Sequence, residues 1–307
     1  MRAAAIDIGT NSTRLLVGEV ESRDGQLVEL DRRMTITRLG AGVDATRELS
    51  SGGIERTLTA LREYRGIIDT FDGVERVRAT ATSAARDASN RNDFFDPAAD
   101  ALGVELELLT GEEEAALSFL GATTGLAGVA EPPYLVVDIG GGSTEFIVGN
   151  AVPEGLISTD MGCVRLTEAW LHSDPPAAEE LSQAVHMVRE HLADVRRELP
   201  GSGAAKTLIG LAGTVSTFAA VEQGLATYDR DKIHHFRITK TVAEELFRLF
   251  VTEPIEQRRH NPGLDEGRVD VIVGGAVILV TIMRTLGYSE MLVSETDILD
   301  GLLRSLC

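Results

Sequence analysis

The chain has 307 residues, an apolar content of 43% and a formal net charge of −19 at pH 7. This length is comfortable for two domains, and the composition is that of a folded globular protein, which excludes general disorder. The negative charge argues against broad electrostatic adhesion to nucleic acid or to anionic membranes. An anionic substrate would therefore have to be held by local donors, local arginines and a cation.

The cysteine content and the apolar runs indicate the cellular compartment in which the protein is expected. Cys163 and Cys307 are the only cysteines, so there is no disulfide framework, and a reducing, cytoplasmic setting is the simple interpretation. Because a strand pattern follows Arg2 directly, we expect no secretory signal. The longest uncharged apolar run, residues 271–283, is too short to span a bilayer, and we interpret it as a buried helix.

The first predicted elements are a strand, a turn and a returning strand over residues 3–17. A helix is predicted over 54–71 and a strand over 74–81. The hydroxyl-rich run 80–83 and then Arg86 follow that strand, at a strand-to-helix junction where an anion can be received. Helix capping with a surface arginine is the alternative explanation for the same residues.

A second strand-to-helix junction follows the predicted strand 104–109. Thr110 is the predicted N-cap of the next helix, and Glu113 is its capping-box partner. Glu112 favours the positive end of that helix. These structural roles leave Glu114 without an assigned partner.

Small residues at 121–128 and the prolines at 132–133 mark the best candidate for a crossover between two domains. The stretch 134–148 then gives an apolar run into Asp138, three consecutive glycines, two hydroxyl residues, Glu145 and a second apolar run. This pattern predicts a strand, a tight turn and a returning strand.

The glycine turn within 134–148 has the chemistry of a ligand site. Glycines let the backbone close on a ligand, and successive N–H groups form an anion-binding nest. Hydroxyl donors and the carboxylates of Asp138 and Glu145 lie beside this nest in the sequence, which suggests a metal–phosphate site. A glycine-rich hairpin without a ligand is the alternative.

The two predicted hairpins are similar to each other at an offset of 131 residues. The identical positions are Asp7, Ile8, Gly9, Ser12, Thr13 and Val17, which match Asp138, Ile139, Gly140, Ser143, Thr144 and Val148. We interpret the match as an internal duplication with one loop in each domain. Arg14 aligns with Glu145, so one loop would offer a cation to phosphate and the other a carboxylate to metal or water.

Later segments carry weaker signals. A strand at 207–211 precedes Gly213-Thr214, which is either a third donor-rich loop or a plain glycine turn into a capped helix. The pair His234-His235 lacks further ligands and is not a metal signature. The run 258–262 is interpreted as a solvated turn, and the lining of an anion entrance is the alternative. Cys163 is interpreted as packed rather than reactive.

The loops at 7–12, 138–145 and 213–214 stand in order in one chain and look like the phosphate loops of the actin–hexokinase–chaperone superfamily. The motifs at 82–86, 110–115 and 161–166 narrow this likeness. With them, the chain resembles the exopolyphosphatase / guanosine pentaphosphate phosphatase family over nearly its whole length. It is most similar to the short actinobacterial members.

The resemblance implies an α/β fold of two ribonuclease-H-like (actin-like ATPase) domains with an interdomain cleft. The first domain is expected to comprise 1–125 and 298–307, and the second 126–297. The implied activity is hydrolytic removal of the terminal phosphate of inorganic polyphosphate with Mg²⁺, and guanosine pentaphosphate 5′-phosphohydrolysis is the alternative. Longer members of the family carry extra C-terminal domains that extend the channel for long polyphosphate. The resemblance of this sequence covers the two-domain core, so short polyphosphate chains are the expected substrate. A homodimer is also expected, and neither nucleic acid nor a membrane is an expected partner.

The resemblance also assigns residues, position by position. Glu114 matches the catalytic glutamate that activates or orients water, and Asp138 and Glu145 match the carboxylates associated with metal and water. The implied phosphate-binding positions are Gly9, Thr10, Asn11, Ser12, Arg14, Arg86, Gly140, Gly141, Gly142, Ser143, Thr144, Gly213 and Thr214. A kinase of the same superfold would need an adenosine pocket, for which the sequence after Thr214 shows no distinctive pattern. The three intact carboxylates argue against a non-catalytic polyphosphate or alarmone sensor.

Overall fold

The computed structural model describes residues 1–22 and 25–307, which form two compact units. Unit 1 comprises Met1–Thr124 and Asp297–Cys307, and unit 2 comprises Gly125–Thr296. The domain division expected from the sequence places both boundaries between the units one residue later, after residues 125 and 297.

The strands are β1 (Arg2–Ile8), β2 (Ser12–Val20), β3 (Leu27–Ile36), β4 (Val74–Ala81), β5 (Leu106–Leu108), β6 (Tyr134–Ile139), β7 (Thr144–Gly149), β8 (Pro153–Thr159), β9 (Thr207–Leu211), β10 (Arg237–Thr239) and β11 (Glu290–Val293). The helices are α1 (Val43–Thr46), α2 (Ser51–Ile68), α3 (Ser83–Asp87), α4 (Asn92–Leu102), α5 (Gly111–Thr123), α6 (Cys163–Trp170), α7 (Ala178–Glu198), α8 (Ala212–Glu222), α9 (Arg230–Ile233), α10 (Lys240–Thr252), α11 (Ile255–Arg258), α12 (Ile272–Leu286) and α13 (Ile298–Arg304). Within the described ranges, no helix combines the length and the apolar character needed to cross a membrane.

The sheet of unit 1 has the order β3-β2-β1-β4-β5, with β1 to β3 antiparallel and β4 and β5 parallel to β1. Successive residues of a strand point to opposite faces. Ala4, Ile6 and Ile8 accordingly join a core with α2 and α4, whereas Ala3 and Ala5 join a second core with α13. The same alternation places Asp7 on the α13 face.

The sheet of unit 2 has the order β10-β11-β9-β6-β7-β8, with β9 parallel to β6. Its core includes α12, and the predicted buried helix at 271–283 is confirmed. This helix packs closely at its start. A Cβ built on Gly274 would lie 2.5 Å from the backbone oxygen of Cys163, and one on Gly275 would lie 2.4 Å from Oγ1 of Thr214.

The two units repeat one arrangement, which confirms the internal duplication. In each, three antiparallel strands are followed by a strand parallel to the first: β1-β2-β3 with β4, and β6-β7-β8 with β9. The register is also the same, since Asp7 pairs with Arg14 and Asp138 pairs with Glu145.

Helices α5 and α13 of unit 1 meet at two glycines. A Cβ built on Gly121 would lie 1.8 Å from the backbone oxygen of Asp297, and one on Gly301 would lie 2.0 Å from that of Leu117. We expect Gly121→Ala to lower the free energy of unfolding by about 1–3 kcal/mol through overpacking. Gly66→Ala in α2 is the control, because its Cβ meets nothing within 4 Å. It should stabilise by about 0.5–1 kcal/mol. Denaturant unfolding measures both, and equal effects would contradict the close contact.

Candidate active site

The turn between β1 and β2 is closed by a backbone hydrogen bond and carries a buried donor. The N–H of Gly9 donates to the carbonyl of Ser12 at 2.9 Å. A buried hydrogen bond of 2.8 Å between the hydroxyls of Thr10 and Ser83 ties this turn to the start of α3. The Nδ2 of Asn11 is buried and has no hydrogen-bond partner among the described residues. Buried donors are normally satisfied, so this amide is suited to an anionic ligand.

Asp7 and Arg14 face each other at the base of the same turn. Nη2 of Arg14 donates to Oδ2 of Asp7 at 2.6 Å, and Nη1 pairs with Asp297. Burial raises the pKa of Asp7, and the Arg14 guanidinium opposes that shift. Oδ1 of Asp7 has no hydrogen-bond partner in the described part of the chain. Sequence reasoning gave Asp7 no role, and a phosphate contact by Arg14 stays a prediction.

Glu114 lies on the first turn of α5 and is held by Arg86 of α3. Nη1 of Arg86 donates to Oε2 of Glu114 at 2.7 Å and to the carbonyl of Leu109 at 2.9 Å. The sequence assigned no partner to Glu114, and the fold supplies Arg86. The parallel strands β4 and β5 end at one edge of the sheet, so the helices that follow them begin side by side. The Glu114 side chain keeps 13% of its surface exposed, which lets water reach it.

The turn between β6 and β7 repeats the closure of the first loop. The N–H of Gly140 donates to the carbonyl of Ser143 at 3.0 Å, and Oγ1 of Thr144 donates to the carbonyl of Met161. Asp138 and Glu145 are buried and directly opposite on the paired strands, which places their side chains on one face. Oγ of Ser158 donates to Oε1 of Glu145 at 2.8 Å.

Asp138 and Glu145 are the candidate metal ligands. Over residues 1–22 and 25–307, no group of three or more His, Cys, Asp and Glu side chains is placed to hold a metal ion. Magnesium is commonly bound by one or two carboxylates with substrate phosphates and water completing its coordination. Two facing carboxylates beside an anion nest fit that pattern, and the Mg²⁺ assignment stays a prediction.

Gly213 and Thr214 lie on the first turn of α8 rather than in a separate loop. The chain enters this helix through Ala212, whose φ of 66° is in the left-handed region. The guanidinium of Arg268 lies over Gly213, since a Cβ built there would be 1.3 Å from its Nη1. Sequence reasoning missed Arg268 because no local motif surrounds it and the contact comes from a distant segment.

Cys163 begins α6 and is buried, as predicted. Burial raises the pKa of its thiol, so the reactive thiolate is disfavoured. The histidines 234 and 235 stack on each other with ring centroids 3.7 Å apart.

Two α/β units that carry copies of one glycine loop define a fold of the ribonuclease-H-like, actin-like ATPase class, as expected from the sequence. The chain belongs to the Ppx/GppA phosphatase family, whose model matches residues 19–307. It is 45% identical to exopolyphosphatase 2 of Mycobacterium tuberculosis, over 99% of this chain and 98% of that protein.

Two solved structures are similar to this chain over nearly their whole length. An exopolyphosphatase-like protein is 35% identical, with a TM-score of 0.95 over 100% of both chains. The PPX-GPPA enzyme of Aquifex aeolicus is 34% identical, with a TM-score of 0.83 over 99% of both chains. The family expected from the sequence is thereby confirmed.

Proposed function

We propose that this chain is an exopolyphosphatase that hydrolyses the terminal phosphate of inorganic polyphosphate, with short chains as the preferred substrate. The observation that carries the proposal is the pair of equivalent glycine loops, each closed by the same N–H···O bond. Successive backbone N–H groups at such a turn bind phosphate, and a polyphosphate is a chain of phosphate groups. The name of the 45% identical relative, exopolyphosphatase 2, supports this substrate.

The proposed chemistry is direct hydrolysis by a water that Glu114 orients. Phosphoanhydride hydrolysis needs in-line positioning and neutralisation of charge on oxygens, with little covalent work by the protein. Arg86 fixes the Glu114 carboxylate, which accepts a proton as the water oxygen bonds to the terminal phosphorus. The bond to the bridging oxygen breaks, and the shortened chain leaves with that oxygen.

Donors of the two loops would bind the phosphate oxygens. The proposed partners are backbone N–H groups and side chains: the N–H groups of Gly141, Gly142 and Ser143, the Asn11 amide, and the guanidinium groups of Arg14 and Arg86. Asp138 and Glu145 would hold Mg²⁺, which when bound supplies positive charge to the phosphate oxygens.

Guanosine pentaphosphate 5′-phosphohydrolysis is the second candidate. The chain belongs to the Ppx/GppA phosphatase family, and the resemblance of its motifs implies this activity as the alternative. A non-catalytic polyphosphate or alarmone sensor is the candidate from a different class, since it would bind the same anions without releasing phosphate.

We further propose a cytoplasmic location and a homodimer. Cys163 and Cys307 are both free cysteines, which suits a reducing compartment. Size-exclusion chromatography with light scattering tests the dimer, and a monomeric mass at micromolar concentration would contradict it.

Phosphate release against a substrate panel tests the proposed function. The panel contains polyphosphates of defined lengths, guanosine pentaphosphate and ATP, each with Mg²⁺ or with EDTA. We expect the highest kcat/KM on short polyphosphates and little release in EDTA. Release from guanosine pentaphosphate alone would favour the second candidate, and tight binding without release would favour the sensor.

A further inference from the structure

The glycine turn of unit 2 is held from its carbonyl side by the start of α6. The N–H of Cys163 donates to the carbonyl of Gly140 at 2.9 Å. The N–H groups of Val164 and Arg165 donate to the carbonyl of Gly141 at 2.9 and 3.1 Å. Two of the three glycine carbonyls are therefore bound by one helix terminus.

A side chain binds the third carbonyl. Nε of Arg165 donates to the carbonyl of Gly142 at 2.8 Å. In a planar trans peptide the C=O and the following N–H point in opposite directions. Since the three carbonyls are held on the α6 side, the N–H groups of Gly141, Gly142 and Ser143 point to the other side.

The start of α6 packs so closely against the glycine turn that no side-chain atom can be added between them. A Cβ built on Gly162, the N-cap of α6, would lie 2.3 Å from the backbone oxygen of Gly141. The helix terminus and the turn are therefore in direct backbone contact, and a change on one side has to move the other.

The loop of unit 1 is held by the equivalent segment, the one that follows the third strand. The carbonyl of Thr10 accepts from the N–H of Gly40 at 2.9 Å, and that of Asn11 accepts from the N–H of Arg38 at 2.9 Å. A Cβ on Gly40 would lie 2.4 Å from Cγ2 of Thr10. The duplicated fold thus supports both loops from the carbonyl side, and in unit 2 the Arg165 side chain contributes to that support.

We propose that Arg165 is a positioning residue for phosphate binding by the 140–143 turn. Its guanidinium fixes the Gly142 carbonyl and thereby sets the direction of the Ser143 N–H next to the two glycine N–H groups. Consecutive glycines have many accessible conformations, and few of them aim three N–H groups at one anion. Fixing the turn before the ligand arrives lowers the ordering cost of binding. This inference rests on the proposed function, because it takes phosphate to be the ligand of the turn.

Binding of inorganic phosphate by calorimetry and the KM for tripolyphosphate test the inference. In Arg165→Met we expect both the Kd and the KM to rise about tenfold, and Arg165→Lys, which keeps one donor, should recover most of the loss. Where Arg165→Met does not fold, Arg165→Gln takes its place with the same expected rise. An unchanged phosphate Kd in the folded variant would overturn the inference.

Arg258→Met is the matched control within unit 2. Its guanidinium also donates to backbone carbonyls, those of Glu253 and Val269 at 2.9 Å each, but none belongs to the turn. We expect a lower thermal midpoint for this variant with an unchanged phosphate Kd. Equal rises in the phosphate Kd of the Arg165 and Arg258 variants would mean that the weaker binding comes from a general loss of stability, and this would overturn the inference.

Gly162→Ala separates positioning from direct contact, because it displaces the turn without removing the Arg165 side chain. If both changes act through one turn, the loss in the double variant with Arg165→Met should be smaller than the product of the single losses. Multiplicative losses would mean that Arg165 acts independently of the turn. If the wild-type protein neither binds phosphate nor hydrolyses polyphosphate, the proposed function itself is refuted. If the wild-type protein hydrolyses polyphosphate and the Arg165→Met variant binds phosphate normally, only the inference is refuted.

Discussion

Replacing Glu114 by glutamine should remove most phosphate release while phosphate binding persists. Glutamine keeps the shape of the side chain but cannot accept the proton of the attacking water, and the loss of a general base typically costs about 10²–10⁴-fold in rate. The carboxylate is already oriented by Arg86 at 2.7 Å, so the change affects chemistry more than folding. Steady-state release from tripolyphosphate, together with calorimetric binding of phosphate, gives kcat and affinity separately.

Glu113→Gln is the control on the same helix turn. Oε2 of Glu113 accepts from the N–H of Thr110 at 2.8 Å within the capping box, and the Thr110 hydroxyl accepts from the N–H of Glu113 at 3.2 Å. Glutamine can also complete a capping box, so we expect this variant to lose only about 0.3–1 kcal/mol of stability, through the charge removed from the helix N-terminus, with kcat unchanged. Normal turnover of Glu114→Gln on every substrate of the panel would show that the catalytic assignment is wrong.

The features of this fold that could be predicted are those fixed by local chemistry. The strands 74–81 and 207–211 lie at their predicted bounds, because alternating or continuous apolar residues run between clear turn signals. The Thr110 capping box needs only residues three apart and is present as predicted. The duplicated loops were visible because glycines and hydroxyls recur at one spacing.

Helix α2 shows where a local signal was misjudged. The prediction began this helix at residue 54, after two glycines, but it begins at Ser51. Oγ of Ser50 accepts from the N–H of Gly53 at 3.1 Å, so the N-cap lies before the glycines and draws them into the first turn.

Contacts between distant segments account for the rest of what the sequence did not reveal. Arg258 was interpreted as part of a solvated turn, yet it is buried against Asp174 and two backbone carbonyls. The Glu114–Arg86 pair depends on β4 and β5 being neighbours, and the position of Arg268 over Gly213 depends on the packing of unit 2. Neither periodicity nor local spacing in the sequence predicts these contacts, because each one joins segments that are brought together only by the fold.

Asp138→Asn and Glu145→Gln should each abolish the response of the protein to Mg²⁺. Both carboxylates are buried on one face of the β6–β7 pair, where two negative charges favour a bound cation. A metal that binds only the folded state raises stability by mass action, so the wild-type thermal midpoint should rise with Mg²⁺ in excess over EDTA. We expect neither variant to show this rise, and kcat to fall at least about 10²-fold through lost charge stabilisation.

Asp160→Asn is the control for this pair, since it removes an exposed carboxylate of the same unit. It should keep both the Mg²⁺-dependent thermal shift and the turnover of the wild type. A variant of Asp138 or Glu145 that keeps the shift but loses turnover would assign that carboxylate to the attacking water instead of the metal. One that keeps both would remove it from the site, and the cation would then have to be held by the phosphate chain itself.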